Sequence, residues 1–102
     1  MEKRRIAFDI GVTYNTPVKK LKLIPGIAKK AITSTKNCSF DRTHFNKFGD
    51  FSMNFEVVYY VNTSDYNEYM DAQQEINLKI TEEFEKQKIE FAYPTQTVYV
   101  KK

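Results

Sequence analysis

The sequence predicts an α+β fold in one domain. Three segments alternate apolar and polar residues with a period of two, two others repeat apolar residues at helical spacing, and 102 residues suffice for one domain. These elements follow the order β-α-β-β-α-β, which is typical of a ferredoxin-like sandwich with both helices on one face of an antiparallel sheet. We expect this sandwich over residues 3–94 and a C-terminal extra strand after Pro94, over residues 95–102.

The first strand and the first helix are predicted in the N-terminal third. In residues 3–13 every second residue from Ile6 to Val12 is a large apolar one, which indicates a strand with one buried face. Thr16 is expected to cap the helix that follows, and Pro17 fits its first turn, where the missing amide has no partner. Since Pro25 cannot donate a hydrogen bond to the carbonyl of Leu21, we expect this helix to kink or restart at Pro25.

A hairpin of two strands is predicted next. Residues 38–48 form the second strand, although its aromatic residues do not share one parity: Phe40, Phe45 and Phe48. Gly49-Asp50 is typical of a tight turn into a third strand over residues 51–61. The third strand alternates regularly, and only two apolar residues fall on its polar face: Val58 and Tyr60.

The C-terminal third predicts a long helix and a last strand. The helix begins near Ser64-Asp65, where Asp65 has capping-box spacing to Glu68, and ends near Lys86. The last strand is expected at Ile89–Tyr93, before Pro94. Residues 95–100 (TQTVYV) then have strand composition but no partner strand left in a four-stranded sheet. They either prolong the last strand or fray, or they pair between chains.

Composition and charge exclude several classes of protein. The longest apolar run, Val57–Val61, is far shorter than the roughly 20 residues of a membrane-spanning helix, and the N-terminus has no apolar stretch of signal-peptide length. The only cysteine, Cys38, cannot form an internal disulfide, which suits a reducing compartment. Residues 1–37 carry nine bases and two acids, whereas residues 38–102 carry seven bases and eleven acids, so opposite patches favour contact between copies.

The sequence predicts no enzymatic, cofactor or metal site. Cys38 and the only histidine, His44, are six residues apart on one predicted strand, hence on the same face but roughly 20 Å apart, too far for proton transfer. Neither CxxC nor HxxxH spacing occurs, and no glycine-rich nucleotide loop is present.

A freestanding binding module for RNA or a small ligand is the alternative function. RNA-recognition domains of this fold expose aromatic residues on the two central strands, where Tyr60 and Arg5 would lie here. The RNP1 pattern is missing, because GDFSMNF has Asp50 where a neutral residue is expected. Asp9 and Glu56 would also repel phosphate on that face, so no nucleic acid is expected as a partner.

Three segments together resemble a known family: RRIAFDIGVTYNTP, FDRTHFNKFGDFSMNFEVVYYV and YNEYMDAQQEINLKITEEFEKQKIEFAYPTQTVYV. They resemble the C-terminal cytoplasmic α+β domain of the small-conductance mechanosensitive channel family, from about Arg4 to Val100. The resemblance implies a non-catalytic, cage-forming domain of a channel that opens under membrane tension and releases solutes during osmotic downshock. It implies identical subunits as partners, usually in a heptamer, on the cytoplasmic side of the bacterial inner membrane.

The resemblance also assigns roles to both termini. The final strand implies an inter-subunit β-barrel at the cage base, built from Thr95, Gln96, Thr97, Val98, Tyr99 and Val100. The basic residues Lys3, Arg4 and Arg5 are expected near the lateral openings, where they would bias which ions pass. The family's transmembrane helices are not in this sequence, so we expect a piece of a channel that contacts the membrane only through those segments. Alone, it is expected to be monomeric, because neighbouring copies are no longer held close together.

Overall fold

The computed structural model describes residues 3–92, which form a three-stranded antiparallel sheet with its helices on one face. The strands lie in the order β1-β3-β2 and comprise β1 (Arg4–Val12), β2 (Cys38–Phe48) and β3 (Met53–Val61). The helices are α1 (Val18–Leu21), α2 (Ile24–Thr33) and α3 (Tyr66–Gln87). The predicted α+β class is confirmed.

The paired residues define two ends and two faces of the sheet. The upper end is formed by the first residues of β1 and β2 and the last residue of β3: Arg4, Cys38 and Val61. The lower end is formed by Val12, Phe48 and Met53. We call the face that packs against the helices the core face and the other the open face.

β3 lies in the centre of the sheet and supplies much of the core. Its alternate residues from Met53 to Val61 are buried, as are Ile10 and Val12 of β1, which confirms the period of two in both strands. α2 and α3 add buried residues at helical spacing: Ile24, Ala28, Ala31, Ile32, Ala72, Ile76, Ile80 and Phe84. Each fully buried Val, Leu, Ile or Phe contributes roughly 1.5–3 kcal/mol, so this core holds the helices on the sheet.

The irregular pattern of β2 results from two β-bulges. Its pairing with β3 shifts by one residue between Phe40 and Arg42 and again between Phe45 and Lys47. Each shift reverses the parity of the residues that point to the core face. Phe40, Phe45 and Phe48 therefore all lie on the core face despite their mixed parity.

The first bulge also separates the two residues considered for nucleophilic catalysis. Cys38 pairs with Val61 on the core face, whereas His44 pairs with Glu56 on the open face. The expectation that Cys38 and His44 share one face is therefore wrong, because the extra residue in β2 reverses the parity between them.

The first helical segment is divided at the predicted place. α2 is a new helix with Pro25 in its first turn, which confirms the expected restart. The cap of α1, however, is Pro17 rather than Thr16. The Thr16 amide donates to the carbonyl of Thr13 (3.1 Å), so Thr16 belongs to a turn before the helix, and the prediction of its capping role is wrong.

Asp65 caps α3 as predicted, the helix begins at Tyr66, and Thr63 extends the capping arrangement. The Asp65 carboxylate accepts a hydrogen bond from the amide of Asn67 (2.9 Å). The Thr63 hydroxyl accepts from the Asp65 amide (3.1 Å) and donates to Glu68 (2.6 Å). The Glu68 carboxylate therefore interacts with the Asp65 amide through the hydroxyl of Thr63, and not by a direct hydrogen bond as in a capping box. Lys88 ends the helix in the left-handed conformation (φ 61°).

The turn between β2 and β3 is longer than predicted. The amide of Gly49 donates to the carbonyl of Ser52 (2.7 Å), which closes a turn over residues 49–52. β3 therefore begins at Met53, and Phe51 lies in the turn, 48% exposed, rather than in the strand.

In the described residues the predicted fourth strand is a single antiparallel bridge between Phe91 and Val12. The amide of Ala92 donates to the carbonyl of Gly11 (2.9 Å), beside β1, where the fourth strand of a ferredoxin-like sandwich lies. Tyr93 and the predicted extra strand over residues 95–102 lie outside the described residues. None of the helices within residues 3–92 is long and apolar enough to cross a membrane.

Candidate functional site

The three basic residues at the start of the chain lie at the upper end of the sheet. The ammonium of Lys3 is 6.0 Å from the ring centre of Tyr60, and the guanidinium of Arg4 is 5.5 Å from that of Tyr69 on α3. Arg5 is exposed and pairs with Tyr60 on the open face. Strand alternation thus directs Arg4 to the core face and Arg5 to the open face, and both Lys3 and Arg4 contact aromatic rings.

Two clefts of different charge flank this upper end. One, of about 280 Å³, is lined, among residues 3–92, by neutral and basic residues: Lys3, Asn37, Cys38, Ser39, Tyr60 and Asn62. The other, of about 230 Å³, lies towards α3 and includes three carboxylates, those of Glu68, Asp71 and Glu75. The upper end therefore presents positive charge towards the open face, whereas towards the helices three carboxylates lie together with Arg4 and Lys36.

The C-terminal end of the described chain lies towards the lower end of the sheet. Ala92 bonds to Gly11, which is seven residues along β1 from Arg4. At about 3.3 Å per residue, these positions are about 23 Å apart along the strand. The six residues predicted to form the inter-subunit barrel, Thr95 to Val100, lie outside the described residues.

The open face does not resemble an RNA-binding surface. Tyr60 is the only aromatic residue that β1 and β3 direct to this face within the described chain. Asp9 pairs directly with Glu56 at the middle of the face, which places two carboxylates where phosphates would pass. No three His, Cys, Asp or Glu side chains among residues 3–92 are placed to hold a metal ion.

Cys38 lies beside a polar cluster that joins α3 to the end of α2. The ammonium of Lys79 donates to the carbonyl of Ser34 (3.0 Å) and the hydroxyl of Thr35 (3.1 Å), and it pairs with Glu75 (2.8 Å). Burial raises the pKa of the Cys38 thiol; the carboxylate of Glu75 raises it further, and Lys79 opposes both. A thiol with a raised pKa is little ionised near neutral pH, so Cys38 is a poor nucleophile.

Two exposed apolar surfaces were not predicted from the sequence. Phe45 and Phe48 of β2 are 39% and 72% exposed although they lie on the core face. On α3, Met70 and Leu78 are 41% and 60% exposed. For the surface on α3, the sequence gives one signal: Met70 and Leu78 fall outside the Ala72–Ile76–Ile80 stripe of the helix.

Comparison of this chain with known proteins finds matches in one family. The family model described as "Mechanosensitive ion channel MscS, C-terminal" matches residues 6–91. The small-conductance mechanosensitive channel MscMJ of Methanocaldococcus jannaschii is 45% identical over 102 residues, which cover 99% of this chain and 29% of that protein. The low conductance mechanosensitive channel YnaI of Escherichia coli is 30% identical over 103 residues, covering 98% of this chain and 30% of that protein.

The matched region is a minor part of each relative, since the chain spans about three tenths of the length of these curated proteins. A solved structure shows the same fold. The cryo-EM structure of MSL1 from Arabidopsis thaliana matches with a TM-score of 0.77 and 13% identity, covering 92% of this chain and 35% of that one.

Proposed function

The chain belongs to the MscS family of mechanosensitive ion channels, and from this premise we propose that it forms one wall segment of a cytoplasmic cage in a channel of identical subunits. Proteins of this family are channels and not enzymes, so its role is structural and electrostatic rather than catalytic. We propose that the complete channel contains seven subunits in the inner membrane, with this domain on the cytoplasmic side, and releases solutes on osmotic downshock.

The observation that carries this proposal is the separation of the two ends of the described chain. Residues 3–5 lie at the upper end of the sheet, and Ala92 lies towards the lower end, about 23 Å away along β1 at 3.3 Å per residue. A domain whose two chain ends lie at opposite ends of its sheet can span the height of a wall, since it can connect to a membrane part above and to another element below.

The lower element in this proposal is the β-barrel at the cage base. Residues Thr95–Val100 follow directly on the part of the chain at the lower end, and their composition favours a strand. Identical strands from all subunits would satisfy each other's backbone groups in a closed barrel, which has no free edge.

The basic residues at the upper end are proposed to act on permeating ions. Lys3 and Arg5 are exposed, and no carboxylate of the described residues lines the cleft beside Tyr60. Lys3→Glu with Arg5→Glu is expected to shift the channel's ion preference towards cations, measured as a shift of reversal potential in a salt gradient. Lys47→Glu, at the lower end, is the matched control and leaves the reversal potential unchanged. Equal shifts in both variants would contradict the role of Lys3 and Arg5.

A chimeric channel tests the proposed function as a whole. Residues 3–102 replace the matching C-terminal region of the MscMJ channel, and the chimera is produced in cells that lack their own mechanosensitive channels. We expect one discrete oligomer on native gels and survival of osmotic downshock. A chimera that remains monomeric, or that forms oligomers without protecting the cells, contradicts the proposal.

The same chimera without residues 95–102 tests the barrel. We expect its oligomer to dissociate at lower detergent or denaturant concentration than the intact chimera, because the strands that join the subunits at the base are gone. An oligomer of unchanged stability would contradict the barrel while leaving the wall segment in place.

A further inference from the structure

We infer that two opposite flanks of this domain contact each other between neighbouring copies, with the aromatic pair Phe45 and Phe48 of one copy packed against α3 of the next. This inference rests on the proposed function and names the surfaces through which the wall segments meet. The partner is a second copy of this chain.

The first surface, the β2 flank, lies on the outer strand of the sheet. Phe45 and Phe48 contact each other edge to face, with ring centres 5.0 Å apart, and Phe45 stacks on the buried Phe55 at the same distance. The pair is therefore held rigidly by the core while Phe48 remains 72% exposed. Rigid, exposed aromatic residues are typical anchors of protein interfaces.

The second surface, the α3 flank, lies on the opposite side of the domain. It consists of exposed, uncharged residues at helical spacing: Met70, Gln74, Asn77, Leu78 and Thr81. Asn77 and Thr81 line a groove of about 240 Å³ with Phe8 and Ile10 of β1, which places this flank beside β1, the outer strand farthest from β2. An uncharged stripe is notable here because the rest of α3 is strongly acidic.

The two flanks lie at the same height along the sheet. Phe45 pairs with Phe55, which in turn pairs with Ile10. Ile10 shares the groove beside β1 with Asn77 and Thr81, and Leu78 is the residue next to Asn77. Copies that are related by rotation about an axis along the strands place equal heights side by side, so Phe45 of one copy meets the level of Leu78 in the next.

Charge complementarity supports the same pairing. α1 and α2 contain four lysines and no acid, and Lys22 lies between them, whereas α3 contains six acids and two lysines. Within residues 3–92 the lysines of α1 and α2 form no ion pair. Lys22 and Lys29 are exposed, and Lys29 belongs to α2, the helix that packs against β2. Asp71 and Glu85 each lie seven residues from Leu78 on the same face of α3.

The bulges of β2 argue for side-chain contact rather than strand addition at this edge. Two bulges interrupt the ladder on the β2 edge, and bulged edges disfavour pairing with a further strand. Since the two flanks are different surfaces of one chain, their contact is heterologous and can close a ring of copies.

Disulfide cross-linking tests this contact with the full chain. In a Cys38→Ser background, Phe45→Cys with Leu78→Cys is oxidised at about millimolar concentration, the effective concentration that linkage provides in an assembly. The same pair is introduced into the chimeric channel. We expect a ladder of covalent oligomers from the double variant and none from either single variant, because each bond joins two different surfaces. His44→Cys with Leu78→Cys is the matched control, since His44 lies on the open face beside Phe45.

The outcomes separate this inference from the proposed function. A ladder in the double variant alone supports the contact. Dimers formed by either single variant show that like surfaces meet, and a ladder in the His44 control shows unspecific collision; each result overturns the inference. If neither the full chain nor a chimera that still forms its oligomer on native gels is cross-linked, the inference is also overturned, while the proposed function stands.

Discussion

The β2 residue Thr43 combines burial with an unused hydrogen-bonding group. Its side chain is 8% exposed between Phe40 and Phe45 on the core face, and its hydroxyl has no partner among the described residues. A buried hydroxyl without a partner costs free energy, because it has lost its hydrogen bonds to water. The first bulge explains its position, since it directs an odd-numbered residue of β2 to the core.

Thr43→Val is expected to stabilise the fold. Valine has nearly the same shape, removes the unpaired hydroxyl and favours a strand, so the free energy of unfolding should rise by about 1 kcal/mol in urea titrations. Thr43→Ser is the control: it keeps the hydroxyl and loses a methyl group, and it should destabilise. A valine variant less stable than the native chain would mean that Thr43 has a partner such as bound water.

The Cys38 thiol should react slowly and in a manner that depends on two neighbours. Burial, followed by the carboxylate of Glu75, raises its pKa, and Lys79 lowers it. The rate of alkylation by iodoacetamide should therefore rise at higher pH than in the urea-unfolded chain. Glu75→Gln should move this rise to lower pH and Lys79→Met to higher pH. Identical profiles for native and unfolded chains would contradict the effect of burial.

Among the elements, α2 and α3 are joined by one side chain. Lys79 donates to the carbonyl and the hydroxyl of Ser34 and to the hydroxyl of Thr35, just beyond the end of α2. It thereby satisfies a carbonyl that has no partner within the helix. Thr35 is itself buried and donates to the carbonyl of Ala31 (2.8 Å), so the cluster fixes the turn that leads into β2.

Lys79→Met should destabilise the domain by about 1–3 kcal/mol in urea unfolding, because several hydrogen bonds to Lys79 are lost while the apolar stem is kept. Lys86→Met, seven residues later on the same helix, is the control and should change stability by less than about 0.5 kcal/mol. Equal effects of both substitutions would show that general charge, and not the cluster at the end of α2, explains the loss.

Elements with one continuously buried face could be predicted from the sequence. β1, β3 and α3 keep one period from end to end, and Pro25 marks the restart of α2 because its missing amide acts locally. The faces of β2 could not be predicted, since bulges arise from pairing with β3 and reverse the period within one strand. The helix-capping role predicted for Thr16 is wrong because tight turns and helix caps favour the same residue types.

At the scale of the whole molecule, the family could be identified from residues spread along the chain, but the exposed flanks could not. Whether Phe48 is covered depends on how far the helices extend over β2, which no periodicity encodes. Leu78 falls outside the buried stripe of α3, but periodicity does not say whether another copy covers it. The division of charge between the two halves of the sequence was visible, and the fold converts it into two neighbouring helices of opposite sign.

Charge exchange between the two flanks should report on how copies associate. Lys22→Glu with Lys29→Glu, or Asp71→Lys with Glu85→Lys, should each weaken self-association of the full chain by about 3- to 10-fold, since exposed ion pairs are worth about 0.2–1 kcal/mol each. Self-association is measured by sedimentation at about millimolar concentration, the effective concentration in an assembly. All four substitutions together should restore it, because attraction returns with reversed sign. Asp9→Lys on the open face is the control and should have no effect. At about 1 M salt the differences should vanish, because charges are screened beyond about 3 Å. If the fourfold variant associates no better than the twofold ones, the two flanks do not meet.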